Sequence, residues 1–314
     1  MQRAFMFPGQ SSRDPEMVER AFAIDAAVAA RVLEEASALV ERDLGAHFRG
    51  PAAAMFATNQ DVQLGVFLTT HIHLEALRAR GIDAALSLGL SLGEYNHLVH
   101  IGALDFADAV RLVAERGRLY TEGPTGCMAA VYPIADDDLA PLLEEARAIG
   151  PVDVAVEASP TQTVIAGDHA AVQHVAERAA DEHYAEHKLI EEHVPMHVPM
   201  FASVAEAFGE ALARAPFKRA RLPYLPNVEG RHVPTNGPAS FAAPLYRHVV
   251  EAVRWRRSID YLVAQGVTHF VEVGPRQALT NLLSPRWHRA TRHSTDALDA
   301  PAQAFAQLAE ELRA

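Results

Sequence analysis

The chain has 314 residues, 49% of them hydrophobic and 22% charged, which is the balance of an ordinary globular protein with a large core. The formal charge of −12 argues against a general nucleic-acid binder, and no apolar run reaches the 18 residues of a transmembrane helix. Cys127 is the single cysteine, so a disulfide framework is excluded. The N-terminus turns polar too soon for a signal peptide, and we expect a cytoplasmic protein without membrane contact.

The first 125 residues alternate between strand and helix patterns. In order, the sequence predicts a strand at 3–9 that ends at Pro-Gly, helices near 16–43 and 61–80, a strand at 84–88, a helix behind it, and an amphipathic helix at 105–120. Such alternation predicts a parallel sheet covered by helices.

The pattern changes after the glycine- and proline-rich residues 122–126. The next seventy or so residues read β-α-β-β-α-β, which is the ferredoxin-like split unit. We therefore predict a small domain at 126–195, inserted into a discontinuous large domain formed by 1–125 and 196–314. The remaining predicted elements are a helix at 200–214, a strand at 221–228, a helix at 239–264 with an irregular middle, a strand at 267–274, a helix at 275–284 and a terminal helix within 295–314.

A reactive hydroxyl is predicted at the turn Gly89-Leu90-Ser91-Leu92-Gly93. The two glycines allow a sharp strand-to-helix turn, which would hold the Ser91 hydroxyl off the sheet edge at the positive end of the following helix. A glycine-rich turn with an incidental serine is the alternative. The strand before it and the helix after it favour a nucleophile.

A serine nucleophile needs a base, and His197 is the best candidate among sixteen histidines. It lies at the junction between the two predicted domains, where sites often form. His193 lies four residues earlier, but Pro195 and Pro199 forbid a regular helix there, and no third ligand completes a metal site. We interpret His71 with His73, and His183 with His187, as solvated surface pairs, and we expect no metal.

Two further positions complete the predicted site. Gln10 follows the first strand, so its backbone N–H and that of Leu92 could bind an oxyanion at the carboxyl edge of the sheet. Arg116 lies on an otherwise apolar helix face and could fork onto a substrate carboxylate. The alternatives are a polar turn residue at position 10 and a salt bridge from Arg116 to Glu115 or Asp108.

The charge is unevenly distributed along the chain. Residues 246–293 contain eight arginines and three acids, which gives this segment +5 and the remainder −17. Such a basic surface suits an acidic macromolecule, with Arg276 and Arg286 as candidate docking residues. Pairing of these arginines with acids elsewhere is the equal alternative.

The motifs occur in the order and at the spacing of a known family. FPGQ near the start, GLSLGEY, DFADAVRLVAERG, SPTQTVIAG, the PMH stretch and VRW…VEVGP resemble those of malonyl-CoA:acyl carrier protein transacylases, including free-standing acyltransferases of fatty acid or polyketide biosynthesis. The resemblance covers essentially the whole chain. It implies an α/β-hydrolase-like large domain with a parallel sheet core and an inserted ferredoxin-like small domain.

The resemblance also implies roles for individual residues. Ser91 would be acylated, His197 would act as general base, and Gln10 and Leu92 would supply the oxyanion-hole amides. Arg116 would grip the carboxylate of malonate, and the backbone carbonyl of His248 would orient the base. The implied substrates are an acyl-CoA and the phosphopantetheine thiol of an acyl carrier protein, with no bound cofactor. We expect a monomer.

Several residues depart from the family pattern around the acyl pocket. Met196 and Ala158 stand where many relatives carry other residues, and the remaining departures are Ser11, Arg13, Leu90, Pro195 and Val198. These positions leave open a different acyl group, delivered from CoA or from another carrier, or a proofreading hydrolase of acyl carrier proteins. More distant alternatives are a lipase or esterase, which usually has a buried acid before the histidine, and a non-catalytic scaffold.

Overall fold

The computed structural model describes residues 2–283 and 287–313. Within them the chain forms strands β1 (Arg3–Phe7), β2 (Leu86–Gly89), β3 (Cys127–Tyr132), β4 (Val152–Ser159), β5 (Gln162–Gly167), β6 (Glu186–Glu191), β7 (His269–Glu272) and β8 (Thr291–Ser294). The helices are α1 (Met17–Ile24), α2 (Ala26–Val40), α3 (Leu44–His47), α4 (Ala52–Met55), α5 (Asn59–Ala79), α6 (Gly93–His100), α7 (Phe106–Glu122), α8 (Asp136–Ala146), α9 (His169–His183), α10 (Ala202–Arg214), α11 (Ala239–Val250), α12 (Trp255–Ala264), α13 (Ala278–Leu282) and α14 (Pro301–Arg313). In the described part of the chain, no helix is long and apolar enough to cross a bilayer.

The larger sheet is parallel and has the strand order β2-β1-β7-β8. β1 and β2 are apolar and buried, because helices cover both faces of a parallel sheet. Phe7 is opposite Gly89 in the register, so these two strands end at the same edge. The polar edge strand β8 was not predicted, since its sequence TRHS lacks the apolar pattern of a buried strand.

Helix boundaries differ from the prediction where a polar side chain caps a new helix. The helix predicted near 16–43 is two helices, because Asp25 ends α1 and its carboxylate accepts from the Val28 N–H at the start of α2. Thr58 and Asp61 form a reciprocal capping box that starts α5.

The strand predicted at 221–228 is wrong. This segment bends at 221–222, turns at 227–228 and joins neither sheet, and Tyr224 forms an isolated bridge to Val233. Pro223 and Pro226 lack the N–H groups that a ladder needs, which explains why the apolar alternation did not produce a strand.

The smaller sheet is antiparallel, with the order β4-β5-β3-β6 and helices α8 and α9 in the two crossovers, as a ferredoxin-like unit requires. Its residues alternate between two cores. Ala129 and Val131 pack under α8 and α9, while Met128 and Ala130 belong to the core shared with the large sheet. The buried thiol of Cys127 belongs to the first of these cores and is a small apolar filler.

A short main-chain ladder joins the smaller sheet to the rest of the chain. The Glu157 N–H donates to the Val253 carbonyl, and the Val253 N–H donates to the Ala155 carbonyl, both at 2.9 Å. Val253 lies in the break between α11 and α12, so the irregular middle predicted for helix 239–264 is where the chain leaves helical geometry to pair with β4.

The interpretation of His71 and His73 as solvated was wrong. His71 is 5% exposed and His73 is fully buried, because both lie on the inner part of α5. The His71 ring stacks on Phe106 at 4.2 Å, and burial lowers the pKa of His71 from 6.5 to about 3. The folded state therefore keeps this imidazole neutral, and stability is lost as pH falls below 6.5 and the unfolded chain takes up the proton.

His71→Phe should remove that pH dependence and keep the stacking. Between pH 7.5 and 5 the free energy of unfolding of the wild-type protein should fall by about 2 kcal/mol more than that of the variant. Urea unfolding at the two pH values measures the difference. The exposed His187→Phe is the matched control and should behave like wild type. Equal pH dependence in wild type and His71→Phe would contradict the burial argument.

Candidate active site

The turn that carries Ser91 is held by close backbone packing. A Cβ atom on Gly89 would lie 2.0 Å from the Gly93 carbonyl, and one on Gly93 would lie 2.1 Å from the Phe7 carbonyl oxygen. Both glycines are therefore required sterically, as the sequence indicated. Ser91 has a φ of +50°, a left-handed conformation that is unusual for a serine. The turn lifts its hydroxyl off the end of β2 beside the first turn of α6.

His197 lies within hydrogen-bond reach of Ser91. Its Nε2 is 2.7 Å from the Ser91 Oγ, and its Nδ1 donates to the backbone carbonyl of His248 at 2.6 Å. The carbonyl fixes the tautomer, so Nε2 carries the lone pair that faces the hydroxyl. The main chain of His197 is held as well, because its N–H donates to the Val249 carbonyl at 3.2 Å. A serine and a base in this geometry have the arrangement that nucleophilic catalysis needs.

The environment of His197 favours the neutral ring. Burial lowers its pKa well below 6.5, and the nearby His248 and Arg116 lower it further. The base is therefore unprotonated at neutral pH and ready to accept a proton.

Glu94 and Asn227 join the turn that carries Ser91 to the segment 224–227, and sequence reasoning missed both. Asn227 Oδ1 accepts from the Ser91 N–H at 2.9 Å, while its Nδ2 donates to the Gly89 carbonyl at 2.7 Å. Glu94 is fully buried and accepts from the Tyr224 hydroxyl at 2.6 Å. The signal for Glu94 was its position directly after the G-x-S-x-G turn. Asn227 gave no signal beyond its place in a proline-rich segment.

Arg116 points into the site and not toward its sequence neighbours. Its Nη1 donates to Gln63 Oε1 at 2.6 Å, and its Nη2 lies 3.4 Å from the Ser91 Oγ. The guanidinium stacks on the Tyr120 ring at 4.2 Å. Arg118 and Arg111 take the ion pairs to Glu115 and Asp108 that were the alternatives for Arg116.

Two main-chain amides close to Ser91 are free. Within the described residues, neither the Gln10 N–H nor the Leu92 N–H donates a hydrogen bond inside the protein. Gln10 begins the 3₁₀ turn after β1, and Leu92 is the residue before α6. The Gln10 side chain donates to Glu191 Oε1 at 3.0 Å, and Arg13 pairs with the same carboxylate oxygen at 2.7 Å.

A largely apolar cavity of about 160 Å³ opens beside Ser91 and His197. Met196 and Ala158 both line it, together with Met128 and Val156 from the inner face of the small sheet. The small sheet thus forms one wall of the cavity.

The arginine-rich segment is mostly paired with acids. Five of its arginines contact carboxylates: Arg247 with Glu229 and Glu251, Arg254 and Arg257 with Glu157, Arg256 with Asp136, and Arg276 with Asp14. The pairing alternative therefore accounts for most of this set. Arg286 lies outside the described residues. Across residues 2–283 and 287–313, no three His, Cys, Asp or Glu side chains form a cluster able to hold a metal.

The fold and the serine–histidine geometry define a class, namely enzymes that pass an acyl group through a serine. Comparison with known proteins agrees. The acyl transferase domain family matches residues 4–301. The chain is 35% identical over 289 residues to the malonyl CoA-acyl carrier protein transacylase of Escherichia coli (strain K12), covering 90% of this chain and 91% of that protein. The chain therefore belongs to the acyl transferase family, and it is an acyltransferase.

Solved structures share the whole fold. The crystal structure of FabD from Acinetobacter baumannii has a TM-score of 0.89 and 29% identity, and the alignment covers 99% of both chains. A type II PKS acyl-carrier protein in complex with its malonyl-transacylase has a TM-score of 0.89 and 25% identity, covering 98% of this chain and 100% of that one. The predicted fold class is confirmed.

Proposed function

We propose that this acyltransferase moves a malonyl group from CoA to the phosphopantetheine thiol of an acyl carrier protein. The position of Arg116 is the main support for this proposal. Its guanidinium is buried, and its Nη2 lies 3.4 Å from the Ser91 Oγ. Within the described residues no carboxylate forms an ion pair with it. A buried cation with no carboxylate in contact is costly beside a nucleophile unless a ligand supplies the anion. The names of the similar proteins, which are malonyl transacylases, support malonate as that anion.

The reaction has two matched half-reactions. His197 takes the Ser91 proton as Oγ attacks the thioester carbonyl of malonyl-CoA, and the amides of Gln10 and Leu92 would hold the oxyanion. One such donor stabilises the transition state by roughly 2.7–4 kcal/mol. The C–S bond then breaks, and CoA leaves with the proton from His197. In the second half, His197 deprotonates the carrier thiol, which attacks the acyl-serine ester. The C–Oγ bond breaks, and His197 returns the proton to the Ser91 Oγ.

The small domain would protect the acyl-enzyme from water. We propose the boundaries 126–195 for it, with 1–125 and 196–314 as the large domain. Its inner face supplies Met128, Val156 and Ala158 to the cavity, so the ester would form against apolar side chains. The lipase and esterase alternative is disfavoured, because the Nδ1 of His197 donates to a carbonyl and not to an acid.

The same cavity supports a second candidate, in which the acyl group carries an apolar substituent. Its lining is mostly aliphatic, and Met196 directly precedes the base. Malonyl and substituted malonyl groups share the carboxylate that Arg116 would bind, so both candidates use the same site. Hydrolytic editing would use it too and would release free acid.

Carrier docking is proposed at a second cavity of about 580 Å³ lined by Arg13, Lys188 and Arg276. It shares Ser11, Gln162 and Ile190 with the cavity at Ser91, so a phosphopantetheine arm could pass from one to the other. Three cations at its wall suit an acidic carrier surface, which CoA lacks. Arg286 stays a sequence prediction, and so do the monomeric state and the cytoplasmic location.

Ser91→Ala should abolish the covalent acyl adduct. Wild-type enzyme incubated with an equimolar mixture of malonyl-, methylmalonyl- and acetyl-CoA should gain the mass of a malonyl or substituted malonyl group, measured by intact-protein mass spectrometry. Ser87→Ala is the matched control, because Ser87 is also buried and lies 2.7 Å from a histidine Nδ1, that of His97. An adduct in Ser91→Ala, or its loss in Ser87→Ala with the fold intact, would refute the nucleophile assignment.

Arg116→Ala should reduce malonyl transfer far more than acetyl transfer. Loss of a buried charge-assisted contact predicts at least a hundredfold drop in kcat/KM for malonyl-CoA, with acetyl-CoA changed less than tenfold. Arg118→Ala on the same helix is the control, since Arg118 is half-exposed and pairs with Glu115 and Glu122 of its own helix. An equal loss for both substrates would mean that Arg116 has a structural role.

Reversing the charge at the second cavity should separate the two half-reactions. Arg276→Glu and Lys188→Glu should each raise the KM for the carrier protein at least fivefold and leave self-acylation from CoA within twofold of wild type. Arg178→Glu is the control, because Arg178 lies on α9, on the opposite face of the small sheet. Stopped-flow acylation and steady-state transfer measure the two steps. A parallel loss of both steps would exclude docking at this cavity.

A further inference from the structure

The His197 base lacks the acidic partner of a serine triad. A buried carboxylate, that of Glu94, nevertheless lies on the far side of the neighbouring His248 side chain. The ring of His248 stacks on that of His197, with centroids 4.6 Å apart and planes 13° apart. On its other side, His248 Nδ1 lies 3.0 Å from Glu94 Oε2. The carbonyl of His248 holds the tautomer of the base, while its side chain reaches the carboxylate. One residue therefore connects Glu94 to His197 by two routes.

We propose that Glu94 and His248 form a positioning pair that supplies the negative charge needed when His197 becomes an imidazolium. The proposal rests on the proposed function only in that it assigns His197 as the base. A carbonyl can orient an imidazole, but it carries only a partial charge. Glu94, when ionised, would supply a full charge inside the same low-dielectric core, where charges interact strongly.

Glu94 makes its hydrogen bonds inside the core and has no contact with solvent. It is fully buried and accepts hydrogen bonds from the Tyr224 hydroxyl at 2.6 Å and the Asn227 N–H at 3.3 Å. Both donors stabilise the ionised form. The other titratable groups that face the pair are Arg116 on α7 and Tyr95 on α6. The site therefore contains one buried cation and one buried acid around two stacked imidazoles.

The charge on Glu94 is finely balanced. Burial raises its pKa to about 7, against the opposing effects of the Tyr224 and Asn227 hydrogen bonds and of the Arg116 charge. A carboxyl with such a pKa responds strongly to a positive charge nearby, so formation of the imidazolium on His197 would draw Glu94 toward its ionised form. The raised pKa of Glu94 is thus consistent with the stacked geometry of His197 and His248.

The test replaces the nucleophile with a reporter. In S91C, a thiolate forms next to an imidazolium, and the pH at which it forms measures how well the protein stabilises that imidazolium. Iodoacetamide alkylation followed by mass spectrometry gives the profile between pH 5 and 10. The wild-type protein has Cys127 as its single cysteine and supplies the background rate. This readout needs no acyl transfer, so it can fail independently of the proposed function.

Removing the charge should make the thiol harder to ionise. We expect S91C/E94Q to be alkylated at least tenfold more slowly than S91C at pH 6.5, with the two rates converging at high pH. S91C/H248L should be alkylated as slowly as S91C/E94Q. S91C/H248Q should keep a rate close to that of S91C, because the glutamine amide can still donate to Glu94. Y224F in the S91C background removes one donor to the Glu94 carboxylate, so it should slow alkylation by a smaller factor. It replaces E94Q as the test variant if E94Q folds poorly.

A second buried carboxyl provides the matched control. Glu272 is also fully buried with a pKa raised by burial to about 7, but it accepts from the Leu279 and Thr280 N–H groups and contacts neither histidine. E272Q should leave the alkylation profile of S91C unchanged. An unchanged profile in E94Q and Y224F, or an equal displacement in E272Q, would overturn the proposal. Survival of the acyl adduct in Ser91→Ala would instead overturn the function and leave this result standing.

Discussion

The site depends on one hydrogen bond that joins two distant parts of the chain, from the Ser91 Oγ to the His197 Nε2 at 2.7 Å. Neither partner could hold this geometry alone, since both residues have a positive φ that the surrounding structure must impose. The nucleophile is fixed by the steric fit of Gly89 against Gly93 and of Gly93 against the end of β1. The base is fixed by the carbonyls of His248 and Val249.

The same hydrogen bond explains why a small domain is inserted where it is. His197 follows β6 by a few residues, so the return of the chain from the small sheet delivers the base to the nucleophile. The ladder at Val253 then fixes that sheet relative to the segment that follows α11. Helix α11 itself carries His248, whose carbonyl is the partner of the base. Closure of the cavity and assembly of the serine–histidine pair are thus consequences of the same packing.

The sequence could predict what depends on local pattern. The strand–turn–helix at Ser91 and the βαββαβ order have periodic signals, and the family motifs pointed to the acyl transferase family that the comparisons confirm. It could not predict what depends on tertiary pairing. Tyr224 lies in an apolar alternation that resembles a strand, yet its hydroxyl is used to hold Glu94. Nor could the sequence predict the burial of His71 and His73, because a polar pair does not reveal which helix face is covered.

The buried charges suggest how the site would select a dicarboxylic acyl group. Arg116 lowers the pKa of His197, because two positive charges near each other in the core are unfavourable. A malonyl carboxylate bound to Arg116 would cancel that effect, whereas an acetyl group would leave it in place. The preferred substrate would then strengthen the base that deprotonates Ser91, in addition to binding more tightly. On this reasoning any discrimination against acetyl-CoA would arise in the acylation rate as well as in affinity, since the carboxylate would act on the transition state in which His197 is charged.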